Sequence, residues 1–422
     1  MRGQAADMLD NREMLSALDA LLSIPSVSRP GGDSAAPFGP EAGRALSCAL
    51  DLCAGLGFRT KNCGNMAGWA EIGQGEEMIA VLVHLDVVPA GEGWDVPPFA
   101  CTLRDGRLYG RGVTDDKGPA VASIYAMKDL LDSGRPLRRR VRIIFGLAEE
   151  GGVWTDMDYY RRHEELPVFG FTPDADFPVI FGEKGSAVFR LSLPLSRCGL
   201  ELLEGGQAEN MVPDHCRAVV NGRAEEARGR AAHGSKPWEG ENAIAALLER
   251  LDRLPVSQMY RRLLDPWGAG LGWEMEDARL GRLTVNVGKV RTLGDQAVFW
   301  LDVRCPRPGM GEALLDRLRE RAAPFGASAE LERWKDPVLL DPDGPLVSAL
   351  MSAYREVTGD QESQPVAIGG STYAKAMDHI AAFGPMLPGR PTSEHQKNES
   401  IALEDFLLLR RIYRAALERL AL

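Results

Sequence analysis

The chain has 422 residues, a formal net charge of −11, 45% hydrophobic residues and 26% charged residues. This composition excludes wholesale disorder, and at roughly 150 residues per domain the length predicts two or three domains. No apolar run approaches the roughly 18 residues of a membrane span, and the negative charge argues against nucleic acid as a partner. The seven cysteines are scattered without a CxxC pair, which favours a reducing cytoplasm over a disulfide framework. We therefore expect a cytoplasmic protein with neither a membrane nor a nucleic-acid partner.

The first part of the chain alternates between helical and strand-like patterns. Apolar residues at helical spacing predict amphipathic helices, and continuous apolar runs predict buried strands. In chain order the predicted elements are helices at Asn11–Leu22 and Glu41–Leu56, a strand at Met78–Val88, a helix at Pro119–Leu131, a strand at Val141–Ala148, a helix at Thr155–His163, and strands at Val168–Phe171 and Val179–Phe181. Such alternation is typical of an α/β sheet.

The middle of the chain has a different pattern. Its predicted elements are strands at Lys184–Leu195, Leu283–Val290 and Ala297–Val303 and helices at Asn242–Leu254 and Gly311–Ala322. The first pattern then resumes, with a helix at Leu346–Val357, a strand at Val366–Ile368, a helix start at Thr372–Met377 and a final helix at Ile401–Leu420. We predict an α/β domain over residues 1–183 and 335–422, with a mixed central sheet flanked by helices. An α+β domain is inserted over residues 184–334.

Acidic residues and one histidine cluster at the carboxyl ends of the predicted core strands. His84 and Asp86 lie at the end of the first strand, Glu149 and Glu150 close the next, and Asp174 and Asp176 follow another. Asp115 and Asp116 lie in a Gly-rich loop that opens a helix. In open α/β sheets ligands bind at the carboxyl ends of the strands, and apolar strands rarely end in ionised groups unless the charge is compensated. One histidine with several carboxylates is the composition of a divalent-metal site.

Two further features of the sequence agree with a metal site. Of two adjacent glutamates, one can bind metal while its neighbour acts as general base on a metal-bound water. A second histidine ligand is also needed, and His395, in a polar loop before the final helix, is the better candidate among the six histidines. Spacing alone does not separate Asp115 from Asp116, or Asp174 from Asp176.

Several motifs in this order resemble those of a known family. The segments HLDVVP (84–89), GRGVTDDKGP (110–119), AEE (148–150) and PDADFP (173–178) resemble the signature of dinuclear-zinc metallopeptidases of the glutamate carboxypeptidase and aminoacylase type. Within that family DDKGP, NMVPD (210–214), GGSTYAKAM (369–377) and EHQKNE (394–399) are most similar to the PepV-like dipeptidases. The resemblance runs from about Ile24 to the C-terminus.

The resemblance implies a role for each residue of the cluster. The five implied metal ligands are His84, Asp115, Glu150, Asp174 and His395. The register of the motif selects Asp115, which would bridge two divalent ions, with zinc preferred and manganese or cobalt as alternatives. Asp86 would orient His84 or the metals, and Glu149 would be the general base and then the general acid.

The resemblance also implies that the inserted domain is a lid over the substrate. The implied substrate-binding residues are Asn210, His233, Arg304, Gly370, Ser371 and Thr372. His233 would polarise the scissile carbonyl, Arg304 would pair with the substrate carboxylate, and the N–H groups of the GGST turn at the start of a helix could bind the same carboxylate. One departure lies in residues 215–232, where PepV-like proteins carry an additional helix and strand.

The expected function is therefore a metal-dependent dipeptidase that cleaves short peptides with a free C-terminal carboxylate. A deacylase of N-acyl amino acids on the same site and a non-catalytic peptide-binding protein are the alternatives. The long insertion favours a monomer that uses its own His233, whereas a homodimer in which the neighbouring chain supplies this histidine is the alternative.

Overall fold

The computed structural model describes the backbone of residues 2–422 and the side chains of residues 11–422, and the chain forms two compact units. The first unit runs to Phe181 and also includes Leu340–Val366 and Thr372–Leu422. The second unit comprises Gly182–Leu339 and Ala367–Ser371. Its main boundaries lie a few residues from those expected at 184 and 334. The segment Ala367–Ser371 was expected in the first unit, but its backbone accepts hydrogen bonds from residues of the second.

The first unit is built around a mixed β-sheet. In sheet order its strands are Arg59–Cys63, Ala67–Ile72, Arg140–Gly146, Met78–His84, Phe169–Thr172, Ile380–Ala382 and Ile180–Glu183, the last of which continues into the second unit. The four middle strands are parallel, and the outer pairs are antiparallel. The carboxyl ends of the parallel strands therefore share one edge of the sheet, where His84, the AEE turn and Asp174 follow three of them.

Helices flank this sheet. Within the described part of the unit they are Arg2–Leu22, Pro40–Gly55, Lys117–Asp132, Thr155–His163, Pro345–Thr358 and Leu403–Ala421. The last of them begins with two acidic residues, Glu404 and Asp405, which suit the positive end of a helix. Its buried residues recur at intervals of three and four, as in Phe406, Leu409 and Tyr413, so one face packs into the core.

Shorter strands complete the first unit and its boundary. They are Thr102–Arg104, Arg107–Tyr109 and Ser400–Ala402 in one small sheet, Ala175–Asp176 paired with Pro385–Met386, and Val338–Leu339 and Val366–Ile368 next to the boundary. The pairing of Ser400–Ala402 with Arg107–Tyr109 is antiparallel. It brings the segment after His395 beside the loop that carries Asp115.

The second unit is a seven-stranded antiparallel sheet covered by helices. In sheet order the strands are Arg223–Arg228, His215–Val220, Leu202–Gly205, Thr284–Leu293, Gln296–Cys305, Gly185–Pro194 and Ser328–Lys335. A separate small hairpin pairs Glu276–Asp277 with Gly281–Arg282, and the helices are Ala243–Arg250, Pro255–Leu263 and Gly311–Ala322. Alternate strand residues such as Phe189, Leu191 and Leu301 point into one core with Trp273. The predicted α/β class with an inserted α+β domain is confirmed.

Several predicted elements differ from the structure at their ends or in their type. The helix expected over Asn242–Leu254 ends at Arg250, because Pro255 starts a new helix and holds Leu254 in an extended conformation. The strand expected to reach Val88 ends at His84. The helix start expected at Thr372–Met377 is only a three-residue 3₁₀ turn, Tyr373–Lys375. None of the helices described is both long and apolar enough to cross a membrane.

Candidate dinuclear metal centre

The expected ligands converge at the carboxyl edge of the first unit's sheet. They form two groups, His84 with Asp115 and Asp174, and Asp115 with Glu150 and His395. Within each group the ligand atoms lie within 4.8 Å of one another. Asp115 belongs to both groups, which is the arrangement of a carboxylate that bridges two ions.

His84 presents one ring nitrogen to this cluster. Its Nδ1 lies 2.9 Å from the backbone oxygen of Asp86, which can only accept, so Nδ1 carries the proton of the neutral ring. Nε2 is then the nitrogen with the lone pair, and it lies 2.8 Å from Oδ1 of Asp115 and 3.8 Å from Oδ2 of Asp174. The backbone of Asp86 thus fixes the tautomer that a metal ligand requires.

The two ambiguous pairs of aspartates have different surroundings. Asp115 directs Oδ1 toward His84 and Oδ2 toward Nε2 of His395, at 2.8 and 2.9 Å. Asp116 instead accepts the backbone N–H of His84 at 3.1 Å, so it stabilises the end of the strand that carries His84. Asp174 lies in the cluster, whereas Asp176 is an exposed residue of a short strand. The geometry therefore agrees with Asp115 and Asp174 as the ligands.

The AEE turn brings its two glutamates to the same edge. The carboxylate of Asp86 accepts both of their backbone N–H groups, from Glu149 to Oδ1 and from Glu150 to Oδ2, each at 3.1 Å. Oε2 of Glu150 lies 2.9 Å from Nε2 of His395, and its Oε1 accepts the N–H of Val88 at 3.3 Å. Glu149 is half-buried beside the cluster and outside both ligand groups. Asp86 therefore orients the turn through its side chain and His84 through its carbonyl.

The side chains of the cluster fit divalent cations. Nε2 of His84 and Oδ1 of Asp115 are buried, and within the described part of the chain neither makes a hydrogen bond. Burial lowers the pKa of His84, but Asp115 and the other nearby carboxylates outweigh this effect and raise it well above its usual value. Burial and the charge of Asp115 raise the pKa of Glu150 to about 7. Positive charge is thus favoured at this position, and imidazole with carboxylate suits zinc, manganese or cobalt.

Sequence reasoning missed Glu399, the last residue of EHQKNE. Glu399 is fully buried, and its Oε2 accepts from Nη1 of Arg111 at 2.7 Å and from the N–H of Gly112 at 3.0 Å. Its Oε1 accepts from the hydroxyl and the N–H of Thr114, at 2.8 and 2.9 Å. Glu399 therefore joins the loop of Asp115 to the loop of His395. Its place in the EHQKNE motif pointed to a functional residue, but its hydrogen-bond partners could not be inferred from the sequence.

In the second unit, His233 is oriented as a hydrogen-bond donor. Its Nδ1 accepts the backbone N–H of Ser235 at 3.3 Å and lies 2.7 Å from the Ser235 hydroxyl. The proton of the neutral ring is therefore on Nε2. The N–H of Gly234 donates to the carbonyl of Asn210 at 2.7 Å, so the NMVPD segment and the histidine loop are joined. A Cβ atom on Gly234 would lie 2.5 Å from Oδ2 of Asp302, so only glycine fits there.

Arg304 also meets the start of the GGST segment within the second unit. Nε and Nη2 of Arg304 bond to Oδ2 of Asp302 at 3.3 and 3.1 Å, and Nη1 donates to the carbonyl of Gly369 at 3.1 Å. Arg304 is 5% exposed and retains N–H groups for one more acceptor. Oγ of Ser371 is buried and has no hydrogen bond within the described residues. The side chain of Thr372 caps the following 3₁₀ turn by accepting from the N–H of Ala374, so a longer helix does not supply the expected anion site.

Comparison with known proteins identifies the family. A profile of peptidase family M20/M25/M40 matches residues 80–419. The protein "Putative dipeptidase YtjP" of Bacillus subtilis is 36% identical, over 91% of this chain and 92% of its own. "Putative dipeptidase SH1171" of Staphylococcus haemolyticus is 33% identical, over 96% of each chain.

Solved structures share the fold. Human carnosine dipeptidase 1 superposes with a TM-score of 0.68 at 16% identity, over 98% of this chain and 97% of its own. The YXEP protein of Bacillus subtilis, described as a dinuclear metal binding peptidase, has a TM-score of 0.56 at 14% identity, over 98% and 100% of the two chains. The family expected from the motifs is confirmed. The chain belongs to peptidase family M20/M25/M40 and is a metallopeptidase.

Proposed function

We propose that the chain is a dipeptidase that hydrolyses the peptide bond of short peptides with a free C-terminal carboxylate. The observation that carries this proposal is the pair of ligand groups that share Asp115, with Glu149 next to them in the AEE turn. The dipeptidase names of relatives that align over almost the whole chain support a short substrate.

The five ligands would hold two divalent ions, with zinc preferred to manganese or cobalt. When bound, the ions would polarise the scissile carbonyl and lower the pKa of the attacking water molecule. Three carboxylates offset most of the four positive charges, so net positive charge remains for the carbonyl oxygen. The neutral tautomer of His84 is already set by Asp86.

Glu149 would carry the proton through the reaction. Its carboxylate takes a proton from the attacking water as the C–O bond forms, and returns it to the leaving amine nitrogen as the C–N bond breaks. Glu150, its neighbour, is held by His395 and Val88 and would remain a ligand throughout. The adjacent glutamates would thus take different roles, because only Glu150 belongs to a ligand group.

The second unit would act as a lid that supplies groups to the substrate. Nε2–H of His233 is suited to donate to the oxyanion, because Nδ1 already accepts from Ser235. The remaining N–H groups of Arg304, with Gly370 and Ser371, would bind the C-terminal carboxylate. Thr372, the last residue of the GGST segment, belongs to the first unit. Asn210 would also help to hold the substrate, since its segment is hydrogen-bonded to the loop that carries the histidine.

A substrate panel tests the proposal. Dipeptides, the same dipeptides with an amidated C-terminus, and N-acetyl amino acids are offered to protein loaded with zinc or manganese. We expect cleavage of the free dipeptides, with amidation lowering kcat/KM by about tenfold or more, since a charge-assisted bond is lost. Cleavage of N-acetyl amino acids alone would identify a deacylase, and equal cleavage of amidated dipeptides would remove the carboxylate site.

Location and assembly are also part of this proposal. All seven cysteines are free thiols, which supports a reducing cytoplasm. A monomer is preferred to a homodimer, because the long second unit favours a chain that uses its own His233 in the reaction.

A further inference from the structure

Two buried carboxylates hold the backbone of the AEE turn. Asp86 accepts the N–H groups of Glu149–Glu150, each at 3.1 Å. Asp156, in the first turn of the helix that follows, accepts the N–H groups of Leu147–Ala148 through Oδ2, at 2.6 and 3.0 Å. Four consecutive amides of the turn are thus bound to two side chains. Asp86 belongs to the motif of the metal centre, whereas Asp156 has no role in the proposed reaction.

Asp156 is itself fixed by Tyr373, the residue after the GGST segment. The Tyr373 hydroxyl donates to Oδ2 of Asp156, and both side chains are fully buried. The Tyr373 ring packs edge-on against His84 and Trp154, with ring centres 6.2 and 5.3 Å apart. A Cβ atom on Gly146 would lie 2.3 Å from the Tyr373 hydroxyl. Only glycine at this position of the strand therefore leaves room for the Tyr373 side chain.

We propose that Asp156 and Tyr373 are positioning residues that hold Glu149 in its reactive orientation. Neither residue is a ligand or touches the reacting atoms; both act through the backbone of the turn. One carboxylate oxygen accepts two adjacent amides and one hydroxyl, which fixes where the turn leaves the strand. A displacement of about 1 Å at a catalytic group lowers the rate by up to about 10²-fold. The inference rests on the proposed function, in which Glu149 transfers the proton.

The substitution Tyr373→Phe tests the inference with little disturbance of packing. It keeps the ring against His84 and Trp154 and removes only the bond to Asp156. We expect kcat to fall about tenfold at saturating metal, KM to change less than threefold, and amide hydrogen exchange of residues 147–150 to accelerate. Tyr354→Phe is the matched control, because Tyr354 is a buried tyrosine of the same unit whose hydroxyl donates to Asp360 at 2.8 Å.

A second variant examines the route through Asp156. Asp156→Asn replaces one acceptor oxygen by a donor and should lower kcat about 10²-fold. Because Tyr373 acts through Asp156, adding Tyr373→Phe to Asp156→Asn should lower kcat by less than twofold further. If the two substitutions instead lower kcat by independent factors that multiply, the proposal that Tyr373 acts through Asp156 is overturned. If Asp156→Asn does not fold, Tyr373→Phe alone decides.

The outcomes separate this inference from the proposed function. If wild-type protein cleaves no dipeptide, the proposed function fails, while the exchange of the amides at 147–150 still tests whether Tyr373 holds the turn. If wild-type protein is active and Tyr373→Phe matches Tyr354→Phe in kcat and in exchange, the inference is overturned. Slower turnover with faster exchange at the turn supports it.

Discussion

Glu149 and Glu150 show how two identical side chains acquire different chemistry. The backbone N–H groups of both bond to the carboxylate of Asp86, so their main chains are held alike. Only Glu150 joins a ligand group, in which its Oε2 lies 2.9 Å from Nε2 of His395. Its pKa is raised to about 7 by burial and by Asp115 when no cation is present. The position of each side chain, and not its residue type, separates the proposed ligand from the proposed base.

The different roles proposed for Glu149 and Glu150 predict different effects when each of them is replaced by glutamine. Glu149→Gln should retain both metal ions and the fold but lose about 10²–10⁴-fold in kcat, since an amide cannot accept the proton. Glu150→Gln should lower metal affinity instead, and excess metal should restore part of its activity. Metal titration and steady-state kinetics on both variants make the comparison. Identical behaviour of the two variants would show that the assignment of roles is wrong.

At the scale of elements, the metal centre depends on loops that are distant in sequence. Glu399 bonds to residues 284 to 288 positions earlier in the chain. Its partner Arg111 is buried with it, and their atoms are 2.7 Å apart. A buried ion pair is costly to break because one charge is left without a partner. The loops of Asp115 and His395 are thus fixed by one carboxylate that lies outside both ligand groups.

Glu399→Gln should therefore destabilise the protein by about 3–5 kcal/mol and weaken metal binding by about 10- to 100-fold. The control is Glu330→Gln, which breaks the exposed pair with Arg190, whose atoms are 2.6 Å apart. Exposed pairs contribute about 0–1 kcal/mol. Denaturant unfolding and metal titration measure both effects. A Glu399→Gln protein as stable as the control would contradict the role of Glu399 as the link between the loops.

The sequence predicted those parts of the fold that depend on local patterns. The apolar runs identified the two buried strands that lead to His84 and to the AEE turn, and the motifs identified the family. The predicted ends of these strands, Val88 and Ala148, were too late in the chain, because the strands end at His84 and Gly146. The ends of elements were harder to predict, as where the helix expected over Asn242–Leu254 ends at Arg250 and a separate helix starts at Pro255. The contacts of Glu399 and Asp156 could not be predicted, because each depends on backbone groups or side chains brought together only by the folded sheet.

For the whole molecule, the residues proposed for one reaction are distributed over both units. Glu149 and the ligands belong to the first unit, and His233, Asn210 and Arg304 belong to the second. His233 is oriented within its own unit by Ser235, independently of the metal centre. Whether a chain uses its own His233 therefore has to be determined by measuring the activity of variants.

His233→Ala should lower kcat about 10²–10³-fold without changing metal content, as expected for loss of one oxyanion donor. His215→Ala, in an exposed position of the same unit, is the control and should keep normal turnover. Mixing His233→Ala with Glu149→Gln protein should restore no activity if each chain uses its own histidine. Recovered activity in the mixture would instead show donation between chains and a functional dimer.

We propose two divalent ions that share Asp115 as a ligand, and stoichiometric reconstitution with metal counts them. Protein stripped by chelation is titrated with zinc or manganese while bound metal and dipeptide cleavage are measured together. We predict two ions per chain, negligible activity before metal is added, and recovery as the sites fill. Asp115→Asn should weaken both sites, because its carboxylate contributes to each ligand group. Full activity in the stripped protein would show that the reaction needs no metal, and saturation at fewer than two ions would exclude a dinuclear centre.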